Sequence, residues 1–168
     1  MSYITLSDYD TLLARSVTID PVLQEYIDRY ENVYIRRILG VELGNIFISE
    51  ELAPSPRIQT LIDEIAEQDE NFNEIHESQG MKAILINCIL YHYVSETQAT
   101  NSPSGGIVSL AETASVLGFE NATRYGEVRF NEALEWIYTI QWFCGVFDTA
   151  TYPEYDGTYI RPKYSALL

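Results

Sequence analysis

The sequence predicts a mainly α fold: a small bundle of about four to five helices, a short β-hairpin or ordered loop, and an extended C-terminal tail. Three observations carry that expectation. Apolar residues recur at helical spacing in several stretches, Pro and Gly fall between those stretches, and Pro153 and Pro162 interrupt the tyrosine-rich end. At 168 residues, 46% hydrophobic and 21% charged, the chain has the size and composition of one ordinary domain. The expected division is a helical domain over 1–145 and a docking tail over 146–168.

Near the N-terminus, Ser7 and Asp10 stand at capping-box spacing before Thr11-Leu12-Leu13, which predicts a short first helix. Asp20-Pro21 then opens a strong helix, with Asp20 as cap and Pro21 at the first helical position. Val22, Tyr26, Ile27, Tyr30, Val33, Tyr34 and Ile38 form one stripe along it, and Gly40 ends it. The predicted helix is Pro21 to Leu39. A shorter helix is expected from Glu42 to Leu52, before Ala53-Pro54-Ser55-Pro56 breaks the chain. Ile58, Leu61, Ile62 and Ile65 predict a further amphipathic helix reaching about Glu70.

Gln79 to Thr97 is the most apolar helix, with Met81, Ile84, Leu85, Cys88, Ile89, Tyr91, His92 and Val94 spread around it, so it is expected to be central. Asn101 to Gly106 is a break. Ile107-Val108-Ser109-Leu110 is the expected short strand, and Thr113 to Leu117 a second strand or ordered loop. Asn121 is the expected cap of a last long helix through Tyr125, Val128, Leu134, Ile137, Tyr138 and Trp142, ending near Gly145. After it, two prolines forbid a continuous helix.

The net charge of −15 sets strong limits. Tight sequence-nonspecific DNA binding requires clustered Lys and Arg to displace counterions, and the same lack disfavours an anionic membrane surface. No apolar run approaches the ~20 residues that span a bilayer. The stretch Met1 to Thr5 has neither the basic flank nor the apolar core of a secretion signal. Cys88 and Cys144 lie in apolar helical stretches and read as buried free thiols rather than a disulfide. Thirteen tyrosines fit a chain rich in interfaces, because the ring is apolar at one end and wet at the other.

Catalytic signals are sparse. His76 sits in the acidic segment Glu74-Ile75-His76-Glu77, which reads as surface. His92 and Glu96 stand one helical turn apart and supply two metal ligands without a second pair, so a core histidine bonded to a neighbour is the expected role. Glu127, Glu132 and Glu135 share a helix with Arg124 and Arg129, an arrangement that reads as surface ion pairing. Ser104-Gly105-Gly106 lacks the Lys-Ser/Thr of a phosphate loop. No catalytic residue, metal or cofactor is expected.

The adjacent cations Arg36 and Arg37 stand out in so acidic a chain. At a helix C-terminus each interacts favourably with the dipole by ~0.3–1 kcal/mol. Flanked by Ile35, Ile38 and Leu39, they are also candidates for a contact with an acidic patch on a neighbouring copy. Asp63, Glu64, Glu67, Asp69, Glu70, Glu74 and Glu77 form the candidate acidic face.

The order of elements resembles that of the small head–tail connector proteins of tailed bacteriophages, also called adaptors or head-completion proteins. The resemblance rests on "YITLSDYDTLL", on a long helix ending in "YIRRILGVELG", and on the apolar "MKAILINCILYHYV" followed by "SGGIVSL" and a final long helix. It spans about Ser2 to Phe143, and its specificity lies in the order of these pieces. It implies a helical bundle with a minor hairpin and a ring, typically dodecameric, beneath the portal. Such a ring extends the DNA channel without binding DNA specifically and joins the portal to a downstream tail or stopper protein. It also implies a virion location, with host cytoplasm during assembly, and a C-terminal segment that engages the portal. Here that segment is unusually rich in tyrosine: Tyr152, Tyr155, Tyr159 and Tyr164 are the candidate anchors, with Arg161 as a charged contact. Two rival readings stand beside this one: a monomeric acidic binding module such as a DNA mimic, and a helical-bundle enzyme or metal protein using His92, Glu96 and a partner helix.

Overall fold

The computed structural model describes residues 3–9, 21–50, 53–69, 74–99 and 119–156. The protein is mainly helical, with five α-helices and one two-stranded antiparallel hairpin among these residues. A 3-10 turn over Leu6–Tyr9 comes first. Then follow α1 (Pro21–Leu39), α2 (Val41–Glu50), α3 (Pro56–Ile62), β1 (Ile65–Asp69), β2 (Glu74–Ser78), α4 (Gly80–Ala99) and α5 (Phe119–Trp142). A π-turn over Phe143–Phe147 ends α5. The chain divides into two compact units: Met1–Glu31 with Leu85–Ala133, and Asn32–Ile84 with Leu134–Leu168.

In the first unit, Ile4, Tyr9, Leu23, Tyr26, Ile27, Leu85, Cys88, Ile89 and Tyr93 form the core. The N-terminal segment is tied to α1 by one carboxylate. The amides of Tyr3 and Ile4 donate to Glu31 at 3.1 and 2.9 Å, and Glu31 is 4% exposed. The 3-10 turn is capped two residues earlier than expected. Thr5 donates to the Asp8 carboxylate from its amide at 2.9 Å and from its hydroxyl at 3.0 Å. Asp10, the other half of the expected box, lies outside the described residues, as does Asp20.

In the second unit, Ile35, Ile38, Leu39, Leu43, Phe47, Ile58, Leu61, Met81, Ile84, Ile140 and Tyr152 are fully buried or nearly so. Helix α1 occupies the predicted span. Gly40 ends it in the left-handed region at φ 81, where only glycine is unstrained, and α2 starts at once.

The stretch after α3 departs from expectation. Helix stops at Ile62, and 65–69 is strand rather than helix. The spacing of Ile58, Leu61, Ile62 and Ile65 fits either state at this length. Pairing with 74–78, in the register Ile65↔Ser78 to Asp69↔Glu74, decides it. Gly80 completes the base of the hairpin: at φ 80 it lies so close to the end of α3 that a Cβ there would overlap the Ile62 carbonyl oxygen. The strands expected at 107–110 and 113–117 lie outside the described residues.

Two boundaries shift. Helix α5 begins at Phe119, so Asn121 lies inside it rather than capping it; helix ends drift by a residue or two in this way. In α4, apolar residues on every side are buried, from Met81 through Val94, in keeping with its unbroken apolar composition. Among the described residues no helix is long and apolar enough to cross a membrane.

Candidate functional site

Arg36 and Arg37 close α1, and both are exposed. Arg36 donates from Nε to Asn45 Oδ1 at 2.9 Å, linking the end of α1 to α2. The two helices meet closely because Gly44 faces the Arg36 backbone, where a Cβ would sit 3.0 Å from its Cα. The guanidinium of Arg37 lies 6.0 Å from the Tyr34 ring centroid, a cation–π approach. Both cations are thus oriented by neighbours on their own helix pair and still face solvent.

The predicted acidic face is not one face. Strand geometry sends alternate side chains to opposite sides, so Glu67 and Asp69 of β1 and Glu74 of β2 share one side of the hairpin, and Glu77 lies on the other. Asp69 is buried and Glu67 half-buried, whereas Glu74 and Glu77 are exposed. Asp63 and Glu64 lie in the bend before β1 and are exposed, and Glu70 lies outside the described residues. The helix expected up to about Glu70 put its carboxylates opposite the isoleucines and left Glu74 and Glu77 to the following loop; the strands divide them between two sides.

The same alternation overturns the surface reading of His76. It is 7% exposed, and its ring stacks on Trp142 with centroids 4.0 Å apart, while its neighbour Ile75 is 68% exposed. Thr139 of α5 holds the strand by donating to the Glu77 carbonyl at 2.9 Å.

The expected tail divides. Residues up to Asp156 pack within the second unit, held by α3. Tyr152 is 2% exposed and donates its hydroxyl to the Arg57 carbonyl at 2.8 Å. Arg57 Nη1 meets both carboxylate oxygens of Glu154 at 3.0 Å and holds that carboxyl below its usual range. Tyr152 is therefore committed to its own chain, and Tyr155 is half-buried with its amide bonded to the Tyr152 carbonyl at 3.0 Å. Tyr159, Arg161 and Tyr164 lie outside the described residues.

A cluster in the first unit was missed as a unit. Tyr26 and Tyr30, read above as two members of an apolar stripe, both donate to Glu96, at 3.1 and 2.6 Å. His92 Nδ1 stands 3.4 Å from the same carboxylate, and its ring stacks on Tyr30 at 4.2 Å. Arg29 reaches Glu96 at 3.7 Å and lies over both tyrosine rings. The available signal was a pair of i, i+4 spacings, Tyr26/Tyr30 and His92/Glu96; nothing in the spacing told which helix would meet which.

Hydrogen bonds from Tyr30 and then Tyr26, with His92 and Arg29, hold the Glu96 carboxyl below its ordinary value. Burial and the Glu96 bond raise Tyr26, and the Glu96 bond raises Tyr30 first of all. The cluster thus favours an ionised Glu96 beside neutral phenols. Its stabilisation is present above the unfolded carboxylate pKa and is lost as pH falls through the lowered folded one. At the alkaline end it is lost as pH rises through the raised phenol values. Glu96→Gln is expected to cost about 1–2 kcal/mol at neutral pH, a modest figure because a carboxylate 40% exposed is partly screened by solvent. Denaturant melts of both proteins should converge on acidification; a gap that widened instead would contradict this assignment.

Among the described residues no group of three or more His, Cys, Asp or Glu is placed to hold a metal ion. Cys88 and Cys144 are free and buried, and burial pushes both thiols up, away from reactive thiolate. The surface ion pairing expected on α5 takes the form of Arg129 and Glu132 at 3.0 Å.

Fold and surfaces together define a mainly helical protein with a small hairpin, exposed paired arginines at one helix end and carboxylates spread along the hairpin. No family model, no curated protein and no solved structure matches the chain.

Proposed function

We propose that the chain is a passive structural adaptor of a tailed-bacteriophage particle, forming a ring beneath the portal that extends the DNA channel and joins portal to tail. The observation that carries this reading is the order of elements. A long α1 ends in Arg36-Arg37 and a left-handed Gly40; the short α2, the apolar α4 and the long α5 follow, and a trailing segment comes last. The charge of −15 suits a wall past which DNA must slide without being held. The partners under this reading are other copies of the chain, the portal, and a downstream tail or stopper protein, with 157–168 as the portal-engaging segment. Division of the hairpin carboxylates between two faces weighs against a DNA mimic, which needs them arrayed on one.

A closed ring requires two different complementary patches on each copy. Exposed Arg36 and Arg37 supply one, and exposed Glu77 on one side of the hairpin, with exposed Asp63 and Glu64 in the bend before it, supplies acidic groups for the other. Reversing both arginines to glutamate takes the net charge from −15 to −19, since each change subtracts two. Arg36→Glu with Arg37→Glu is expected to abolish ring formation on portal rings, as read by co-purification and particle imaging. The fold should survive at a cost of about 1 kcal/mol for the lost Asn45 bond. A wild-type chain that never co-purifies with a portal ring, or a doubly reversed chain that assembles normally, would end this reading.

A further inference from the structure

Residues 3–9 are joined to the first unit in two ways. Ile4 and Tyr9 are fully buried in its core, and the amides of Tyr3 and Ile4 donate to Glu31 at 3.1 and 2.9 Å. Ile4 and Glu31 are 27 residues apart, so this bond clips one end of the segment to the middle of α1. Inside the segment, Thr5 donates to the Asp8 carboxylate from its amide and its hydroxyl, and the Asp8 amide donates to the Thr5 carbonyl at 3.1 Å. These internal bonds close it into one turn, which can move as a piece without giving them up.

One polar group opposes this arrangement. The Tyr9 hydroxyl is buried and has no hydrogen-bond partner among the described residues. A buried hydroxyl left unpaired keeps its whole desolvation cost, and that cost disappears once the phenol meets water. Its surroundings also disfavour charge: burial, then Asp8, Cys88 and Glu31, push the phenol well above its ordinary value. The ring of Tyr9 therefore favours the docked state while its hydroxyl favours release.

We propose that residues 3–9 are a strap that lifts off the first unit as one piece while α1 and α4 stay folded, and that the unpaired Tyr9 hydroxyl sets how often it does so. Burial of Ile4 and of the Tyr9 ring, together with the two bonds to Glu31, holds the strap down. Hydration of the phenol draws it away. A short segment near a chain end, held at a few points, opens at a lower free energy than the core beneath it. Lifting it uncovers the places that Ile4 and Tyr9 fill and takes two amides from the Glu31 carboxylate. The strap does not depend on the adaptor reading.

The test is amide hydrogen exchange on the full chain, followed residue by residue by NMR across a urea series. The amides of Tyr3 and Ile4 are expected to share one modest protection factor that changes little with urea, because a small opening exposes little surface. Ile27 in α1 and Ile89 in α4 should be more strongly protected and lose that protection steeply. Tyr9→Phe keeps the ring and removes the hydroxyl, so exchange at Tyr3 and Ile4 should slow by about tenfold. Glu31→Gln leaves one of the two amides without a carboxylate oxygen and should speed exchange by about the same factor. Far-UV circular dichroism checks that both variants remain folded. Tyr3 and Ile4 amides that match Ile27 and Ile89 in protection and urea dependence would mean that nothing opens separately, and would overturn the proposal. Exchange unchanged or faster in Tyr9→Phe would mean that the hydroxyl is satisfied in solution, and would overturn its role as the release.

Discussion

Tyr152→Ala is expected to lower the unfolding free energy by about 3–5 kcal/mol, the range for truncating a large buried aromatic. The side chain is 2% exposed, its ring centroid lies 5.9 Å from that of Phe143, and its hydroxyl donates to the Arg57 carbonyl at 2.8 Å. Removing it leaves a cavity beside the π-turn and takes the hydroxyl away from the Arg57 carbonyl. It also deprives residues 148–156 of their apolar anchor, leaving the Arg57–Glu154 pair to hold them at 3.0 Å. Tyr152→Phe separates the two contributions, since it keeps the ring and loses the hydroxyl, for about 1 kcal/mol.

The same residue gives an alkaline signature. Burial, with Cys144 next, pushes the Tyr152 phenol up to about 12. A raised folded value means that its stabilisation is intact below the ordinary phenol range and disappears as pH climbs toward that value. Urea denaturation across that range should show a steeper alkaline loss for the parent than for Tyr152→Phe. A Tyr152→Ala protein that lost less than ~1 kcal/mol would mean that 148–156 is not packed on α3.

Gly80→Ala is the second large effect, at about 3 kcal/mol or more. The backbone at φ 80 lies in the left-handed region, which costs a side-chain-bearing residue ~1–3 kcal/mol. The added Cβ also overlaps the carbonyl oxygens of Ile62 and Asp63. Those are backbone atoms at the end of α3, so relief requires the hairpin base or the start of α4 to move. The expected signature is local before it is global: faster amide exchange in 65–69 and 74–78, together with a lowered melting temperature. Gly126→Ala is the internal control. Its Cβ would meet Val94 at 3.8 Å, an ordinary contact, and a helix interior favours Ala over Gly by ~0.5–1 kcal/mol. Equal losses at both positions would refute the assignment of Gly80 as a required close approach.

Helices with their own punctuation were readable in advance. Pro21 to Leu39 is bounded by Asp-Pro and Gly40, and α1 has those ends; the apolar run of α4 was equally plain. The stretch 58–78 was not readable, because a few isoleucines at spacings of three and four suit a short helix as well as a helix followed by a strand. The error then propagated to the candidate site. Reading 58–70 as helix put its carboxylates on the face opposite the isoleucines, with Glu74 and Glu77 in the loop after it, and left His76 at the surface, whereas strand alternation divides the carboxylates and buries the imidazole against Trp142. The tail was misjudged for a related reason: Pro153 correctly excluded helix, but absence of helix is not absence of packing, and Tyr152 and Glu154 find Arg57 nearly a hundred residues earlier.

Local chemistry alone thus determined the mainly helical character, the ends of α1 and the acidic balance of the chain, since periodicity, caps and charge act between near neighbours. Which tyrosines would share Glu96, which side of the hairpin would be buried, and where the chain after α5 would settle were decided only in the tertiary structure. Those outcomes depend on contacts between residues far apart in sequence, whose energies appear only when the elements are brought together.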